Sequence, residues 1–155
     1  MTPVRIREAR AEEAAALEDL QRHASLQWDE YRADLLAHPD AIEVEPNDVE
    51  GGGFRVAVRG DRRLGFSAVL DPVDGIVELD GLFVDPASWH GGVGRALVVD
   101  AAQRAAQRGA GSIRVVANPR AVGFYERVGF AATGVDVPTR FGPGREMVLP
   151  LDPGP

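Results

Sequence analysis

Apolar and polar residues alternate along Phe54–Arg59 (FRVAVR), the two-residue period of a strand with one buried face. Val4–Arg7 (VRIR) has the same period and predicts a shorter strand. Leu64–Leu70 and Ile76–Val84 (IVELDGLFV) extend Phe54–Arg59 into a three-strand meander. Gly60-Asp61 and Asp74-Gly75 supply its tight turns. The period becomes helical over Ala9–Leu26, where Leu17, Leu20 and Ala24 fall on one face. Trp28–Ala37 predicts a second, shorter helix, stopped by the His38-Pro39 step. Gly94–Arg108 predicts a long Ala-rich helix ended by Gly109. Pro119–Arg127 predicts another, with Pro at its first position and Asn118 as N-cap. Ser112–Ala117 (SIRVVA) is a buried strand. Phe130–Val135 and Glu146–Leu149 are the last two strands, joined by a Pro- and Gly-rich loop, VPTRFGPG. Glu43–Gly53 (EVEPNDVEGGG) has the acid, Pro, Asn and Gly content of a mobile loop.

The order is strand, two helices, three strands, helix, strand, helix, two strands. It predicts an α/β (α+β) fold built on a mixed sheet with helices on both faces, rather than a regular strand–helix alternation. A length of 155 residues, 45% of them hydrophobic, suits one compact domain spanning 1–155. No internal repeat or linker interrupts it. No apolar run reaches the roughly 18 to 20 residues of a membrane helix. The first ten residues, MTPVRIREAR, are charged and lack the apolar core of a signal peptide. The expected location is therefore the cytoplasm, without membrane attachment.

Charge narrows the reading further. A net charge of −7 argues against a general nucleic-acid binder. The acids are concentrated early: residues 1–50 carry 13 Asp and Glu against 5 Arg, whereas residues 51–155 carry 11 against 12. Such a half would attract a cationic ligand, or it is plain surface solubility. Every basic residue is Arg, which excludes lysine Schiff-base chemistry. With no Cys, disulfides, thiolate metal sites and a cysteine nucleophile are excluded as well. His23, His38 and His90 are scattered and have no metal-ligand company, so no metal is expected.

The most suggestive chemistry begins in SWHGGVGRAL, Ser88–Leu97. A strand ending at Phe83-Val84 feeds a glycine-rich turn, and the turn feeds a helix. The first turn of a helix presents unpaired N–H groups and the positive end of its dipole, and glycines let an anion approach closely. The same spacing also serves as an ordinary turn before a helix. A dinucleotide fingerprint finds Gly92 and Gly94 but has Leu97 where its third glycine belongs, and no acid stands about 20 residues on. A P-loop fails because no Lys-Ser/Thr pair follows.

A second segment lies downstream, NPRAVGFYERVGF, Asn118–Phe130. Together the two segments resemble the GCN5-related N-acetyltransferase (GNAT) superfamily. The family writes a Glu-Leu-x-x-Leu-x-Val strand, then Gln/Arg-x-x-Gly-x-Gly/Ala, then Asn-x-x-Ala-x-x-Phe-Tyr-x-x-x-Gly-Phe. This chain has Glu78, Leu79, Leu82 and Val84, then Gly92 and Gly94, then Asn118, Ala121, Phe124, Tyr125, Gly129 and Phe130. The element order is also the family's. One position departs: Trp89 stands where the family has Gln or Arg.

The resemblance implies a GNAT-type mixed, mostly antiparallel sheet of about six to seven strands flanked by about four helices. It implies an acyltransferase that moves an acetyl group from acetyl-coenzyme A directly to a primary amine of a small molecule or peptide. The alternative is a non-catalytic acyl-coenzyme A-binding regulatory or scaffold domain of the same fold. The backbone of Gly91, Gly92, Val93, Gly94, Arg95 and Ala96 would cradle the cofactor pyrophosphate. That of Leu82, Phe83 and Val84 would pair with the pantetheine arm. Asn118, Phe124 and Tyr125 would complete the cofactor site, and Tyr125 would protonate the departing thiolate. Tyr125 otherwise reads as a packing residue, and Asn118 as a plain helix cap.

Acetyl transfer needs a neutral amine, so a base is required. Glu78 and Asp80 share one face of an otherwise apolar strand. Either carboxylate is a candidate base, and Asp80 is also a candidate contact for the substrate ammonium. The competing reading of the two acids is a solvated face, or an ion pair with an Arg on a neighbouring strand. Trp28 and Tyr31, three apart, are packing residues or part of an acceptor pocket. Phe141 is a candidate cover for that pocket or a residue of the turn. A monomer or homodimer is expected, with no nucleic-acid partner.

Overall fold

The structure is a computed structural model and describes residues 3–140 and 142–152. Phe141 lies outside the described residues. In chain order the elements are β1 (Arg5–Glu8), α1 (Ala14–Ser25), α2 (Asp29–Ala37), α3 (Pro46–Glu50), β2 (Phe54–Arg59), β3 (Arg62–Val69), β4 (Ile76–Val84), α4 (Val93–Gln107), β5 (Ser112–Ala117), α5 (Val122–Arg127), β6 (Ala131–Thr139) and β7 (Gly142–Pro150). The strands form one seven-stranded sheet in the order β1-β2-β3-β4-β5-β7-β6. β4 and β5 run parallel, while β1/β2, β2/β3, β5/β7 and β6/β7 run antiparallel. No helix among the described residues is long and apolar enough to cross a membrane.

The chain divides into two compact units, one of Met1–Ala68 with Gly81–Leu97 and the other of Val69–Asp80 with Val98–Pro155. In the first, strand alternation sends Val56 and Val58 into one cluster with Ala14, Leu17, Val49 and Phe66. Ala57, between them, joins Leu64, Val93 and Leu97 in a second cluster. Simple alternation would put Leu64 and Phe66 on the same face. A bulge prevents this: Ala57 pairs with Gly65 and Val58 with Arg63, leaving Leu64 unpaired and turned over. Gly65 also allows close contact with β4, since a Cβ there would stand 2.7 Å from the Phe83 carbonyl oxygen.

Among the described residues of this unit one carboxylate is buried. Glu13, at 3% exposure, ends the 3-10 turn that precedes α1. Arg7 of β1 donates Nη1 to its Oε1 at 2.7 Å and Nη2 to its Oε2 at 3.0 Å. Arg63 of β3 donates Nε to Oε2 at 2.7 Å, and the Arg10 amide donates to Oε1 at 2.9 Å. A buried charge persists only when paired and hydrogen-bonded, and both oxygens of Glu13 are fully engaged. The contact joins two strands to the start of α1.

In the second unit Val77 and Leu79 of β4 register with Ile113 and Val115 of β5. All four are buried. β7 lies between β5 and β6, with Met147 opposite both Val115 and Ala132 and fully buried. Tyr125 meets Phe130 edge to face, with centroids 5.2 Å apart.

The pattern-based boundaries hold for β2, β4 and β5, and three readings are corrected. The expected mobile loop at Glu43–Gly53 contains α3, because Pro46 opens a helical turn and Val49 is drawn into the core at 1% exposure. Most of VPTRFGPG is strand: Val137 pairs with Gly144, Pro138 with Pro143 and Thr139 with Gly142. The prolines are tolerated because β6 is an edge strand, and Pro143 lies beyond Arg145, where the β5 pairing of β7 ends. Trp28 precedes its helix; it is the extended N-cap of α2, with φ −91° and ψ 116°.

Arg7 first, with help from the Arg10 amide and Arg63, lowers the Glu13 carboxyl from its usual 4.5 to about 2. Its folded value is depressed, so its stabilisation is present above pH 4.5 and fades as pH falls toward 2. Glu13→Gln leaves two guanidinium groups facing a neutral amide and is expected to cost roughly 3–5 kcal/mol at pH 7. Denaturant titrations at pH 7, 4 and 3 check both points: the variant should start lower and lose less stability between pH 4.5 and 3 than the parent.

Candidate active site

β4 ends at Val84, and the Asp85 amide donates to the Leu64 carbonyl of β3 at 2.8 Å. Asp85 then starts a 3-10 turn, accepting from the Ala87 amide at 3.1 Å. The chain passes through Trp89 and two left-handed positions, His90 at φ 66° and Gly92 at φ 84°, into α4. The first intrahelical bond of α4 runs from the Ala96 amide to the Gly92 carbonyl at 3.0 Å. The amides of Val93, Gly94 and Arg95 therefore belong to the open first turn, at the positive end of a helix of 15 residues. Val93 and Leu97 are buried at 3% and 0% and anchor that turn in the second cluster. An open first turn of this kind, lined by backbone amides, is able to take up an anion.

The loop holds an arrangement that the pattern did not reveal. The Trp89 indole Nε1–H donates to the Val84 carbonyl at 2.8 Å. Its ring stacks on Trp28, with centroids 5.6 Å apart and planes 28° from parallel. Trp28, expected to share a helix face with Tyr31, directs its ring to the loop. Both it and Tyr31 are half-buried.

On β4, Val77 and Leu79 are buried while Glu78 is half-buried and Asp80 exposed, so the two acids share the polar face as expected. Their situations differ. Glu78 registers with Arg114 of β5, and the Arg114 Nη1 donates to its Oε1. Arg114 also donates Nε to Glu146 Oε2 at 2.7 Å, and Thr133 donates its hydroxyl to Glu146 Oε1 at 2.9 Å. The ladder thus crosses β4, β5, β7 and β6. Asp80 has no such clamp among the hydrogen bonds and ion pairs described here. Although its side chain reaches solvent, partial desolvation by its surroundings first, and the charge of Glu78 second, hold its carboxyl above the usual Asp value. Arg114 first, then Thr133, hold Glu146 below its usual value. Sequence reasoning foresaw an Arg partner for Glu78 but did not identify Arg114, because strand register decides it.

Tyr125 lies in α5 at 7% exposure, edge-on to Phe124 and Phe130. Burial pushes its hydroxyl well above the usual 10, so it stays protonated at every ordinary pH. Asn118 caps the turn before α5, its Oδ1 accepting from the Arg120 amide at 2.8 Å. No cluster of three potential metal ligands occurs among the described residues.

Several known structures share this architecture. An N-acetyltransferase (PaiA) from Thermoplasma acidophilum, solved in complex with coenzyme A, superposes with a TM-score of 0.77 at 19% identity, over 96% of this chain and 99% of that one. A GCN5-related N-acetyltransferase from Rhodopseudomonas palustris gives 0.80 at 22% identity, over 97% and 98%. The ribosomal-protein-S18-alanine N-acetyltransferase of Escherichia coli gives 0.69 at 19%, over 97% and 95%. No curated protein matches in sequence. The sequence profile of the Acetyltransferase (GNAT) family matches residues 15–130, three quarters of the chain. The chain belongs to the GNAT acetyltransferase family, acyltransferases that use acetyl-coenzyme A.

Proposed function

We propose that the chain transfers an acetyl group from acetyl-coenzyme A directly to a primary amine, with Asp80 as the proton acceptor. The observation that carries this reading is the unequal pair on β4. Glu78 is held by Arg114, whereas Asp80 carries a carboxyl raised above its usual value on the same face. A raised carboxylate takes a proton more readily at neutral pH than an ordinary one, as removing a proton from an ammonium requires. Glu78 is assigned the role of fixed charge beside it.

The first-turn amides Val93 to Arg95, with Gly91 and Gly92, are assigned to the pyrophosphate. Leu82 to Val84 are assigned to the pantetheine arm, and Asn118 and Phe124 to the remainder of the cofactor site. Acetyl-coenzyme A supplies the acetyl group as a thioester. Tyr125 is assigned to the departing sulfur. A hydroxyl pushed above 10 is a reluctant proton donor toward a thiolate, whose own pKa is about 8.5. Its contribution is therefore a hydrogen bond that grows as charge develops on sulfur, with its proton retained. The acidity of residues 1–50 favours a cationic acceptor. Trp28 and Tyr31 are assigned to the acceptor end.

Thiol release from acetyl-coenzyme A, measured against polyamines, aminoglycosides, amino acids and peptides, tests the reaction. Turnover with cationic amines supports it, while binding of coenzyme A without turnover on any amine would replace it with a binding module. Tyr125→Phe is expected to lower kcat by about 10- to 100-fold with little change in coenzyme A affinity, the range for one group acting in the transition state; an unchanged kcat removes Tyr125. Asp80→Asn should reduce kcat/KM by about 100-fold or more and abolish the acidic limb of its pH profile. Glu78→Gln withdraws the charge that raises Asp80, so its acidic limb should move to lower pH and persist. A limb lost in Glu78→Gln and kept in Asp80→Asn would reverse the two roles.

A further inference from the structure

Trp89 occupies the position where the related motif carries Gln or Arg. A Trp side chain has a single donor, Nε1–H, and here it is spent on the Val84 carbonyl at 2.8 Å. It is therefore not free to serve a phosphate. The ring does something else. It stacks on Trp28 at 5.6 Å and 28°. Trp28 in turn is held by its own backbone: its amide donates to Ser25 at 3.1 Å, and its carbonyl accepts from Tyr31 at 3.0 Å. The loop between Trp89 and α4 contains His90 and Gly92 at positive φ and Gly91 between them. Such a segment has much conformational freedom to lose on binding an anion, and whatever fixes it beforehand improves affinity without touching the ligand.

We propose that Trp28 and Trp89 form a positioning pair that fixes the anion-binding loop in advance, so that coenzyme A affinity depends on a residue at the start of α2. The indole N–H ties the loop to the last residue of β4, and the stack ties it to the α1–α2 junction. The pair replaces by preorganisation what the missing polar side chain would give by contact. This rests on the reading of Gly91–Ala96 as the coenzyme A cradle.

Calorimetric titration of coenzyme A into the full chain tests it. Trp28→Phe keeps an aromatic ring and should bind within about two-fold of the parent, while Trp28→Ala should bind about 3- to 10-fold more weakly, the scale of one aromatic pair. Trp28→Ala with Trp89→Ala together should be no weaker than Trp89→Ala alone, because the two residues act as a unit. Trp28→Ala binding like the parent, or additive losses in the double variant, overturns the pairing while leaving the cradle intact. A parent chain that takes up no coenzyme A overturns the cradle and the pairing together. The chain has only these two tryptophans, so near-ultraviolet circular dichroism reports their stacking in the parent and its loss in the single variants, and far-ultraviolet circular dichroism reports folding in every variant. If Trp28→Ala does not fold, Trp89→Phe carries the test: it removes the indole N–H while keeping a smaller aromatic ring, and its affinity must fall.

Discussion

The arrangement of charge on β4 depends on one guanidinium. Arg114 sits on β5 between two carboxylates, Glu78 on the parallel neighbour and Glu146 on the antiparallel one. Two acids on one strand face would ordinarily raise each other's affinity for protons. With Arg114 bound to one of them, the symmetry is broken. Glu78 has a counter-ion of its own, and Asp80 carries the cost of desolvation and of its neighbour's charge. Two neighbouring carboxylates with such different partners are able to take different tasks. The separation is made by register alone, since Glu78 lies opposite Arg114 and a shift of one residue would face Arg114 with Val77 or Leu79.

Glu13 inverts that arrangement. There one carboxylate lies between two guanidiniums, at 3% exposure, and every oxygen is used. Full satisfaction drives its proton affinity down and leaves nothing for a substrate. The Arg114 ladder is half-exposed, and its one charge is divided between two acids. The same residue types therefore form a fully satisfied buried cluster at one place and a half-buried ladder at another, and solvent access with charge ratio decides which.

The sequence was most legible where one short period or one motif decides the outcome. Alternation located β2, β4 and β5, and the Asn118–Phe130 segment with the glycine loop carried the family. What it hid depends on register or on distant contact. The bulge that sends Leu64 and Phe66 into different clusters breaks the period that alternation relies on. Arg114 was unnamed because no local pattern says which residue of β5 faces Glu78. Prolines in VPTRFGPG suggested a loop, although an edge strand has no need of the missing donors. The stack of Trp28 on Trp89 joins positions far apart in the chain, and composition carries no trace of it.

Trp89 stands where the related motif has a polar residue, and the backbone donors beside it do not depend on that side chain. The helix start offers amides and a dipole, and these belong to the backbone whatever side chains surround it. They need a fixed direction more than they need company. Val93 and Leu97 fix the helix by burial, and Gly92 supplies the left-handed turn that brings the chain into it. The part left to fix is the stretch before Gly92, where His90 is held at a φ that side chains disfavour. At its upstream end an indole spans from the Val84 carbonyl to the Trp28 ring, which is the restraint proposed above. Affinity in such a loop is a property of the loop's rigidity as much as of its donors, so a substitution that removes a donor and adds an anchor changes the means of binding an anion more than the ability to bind one.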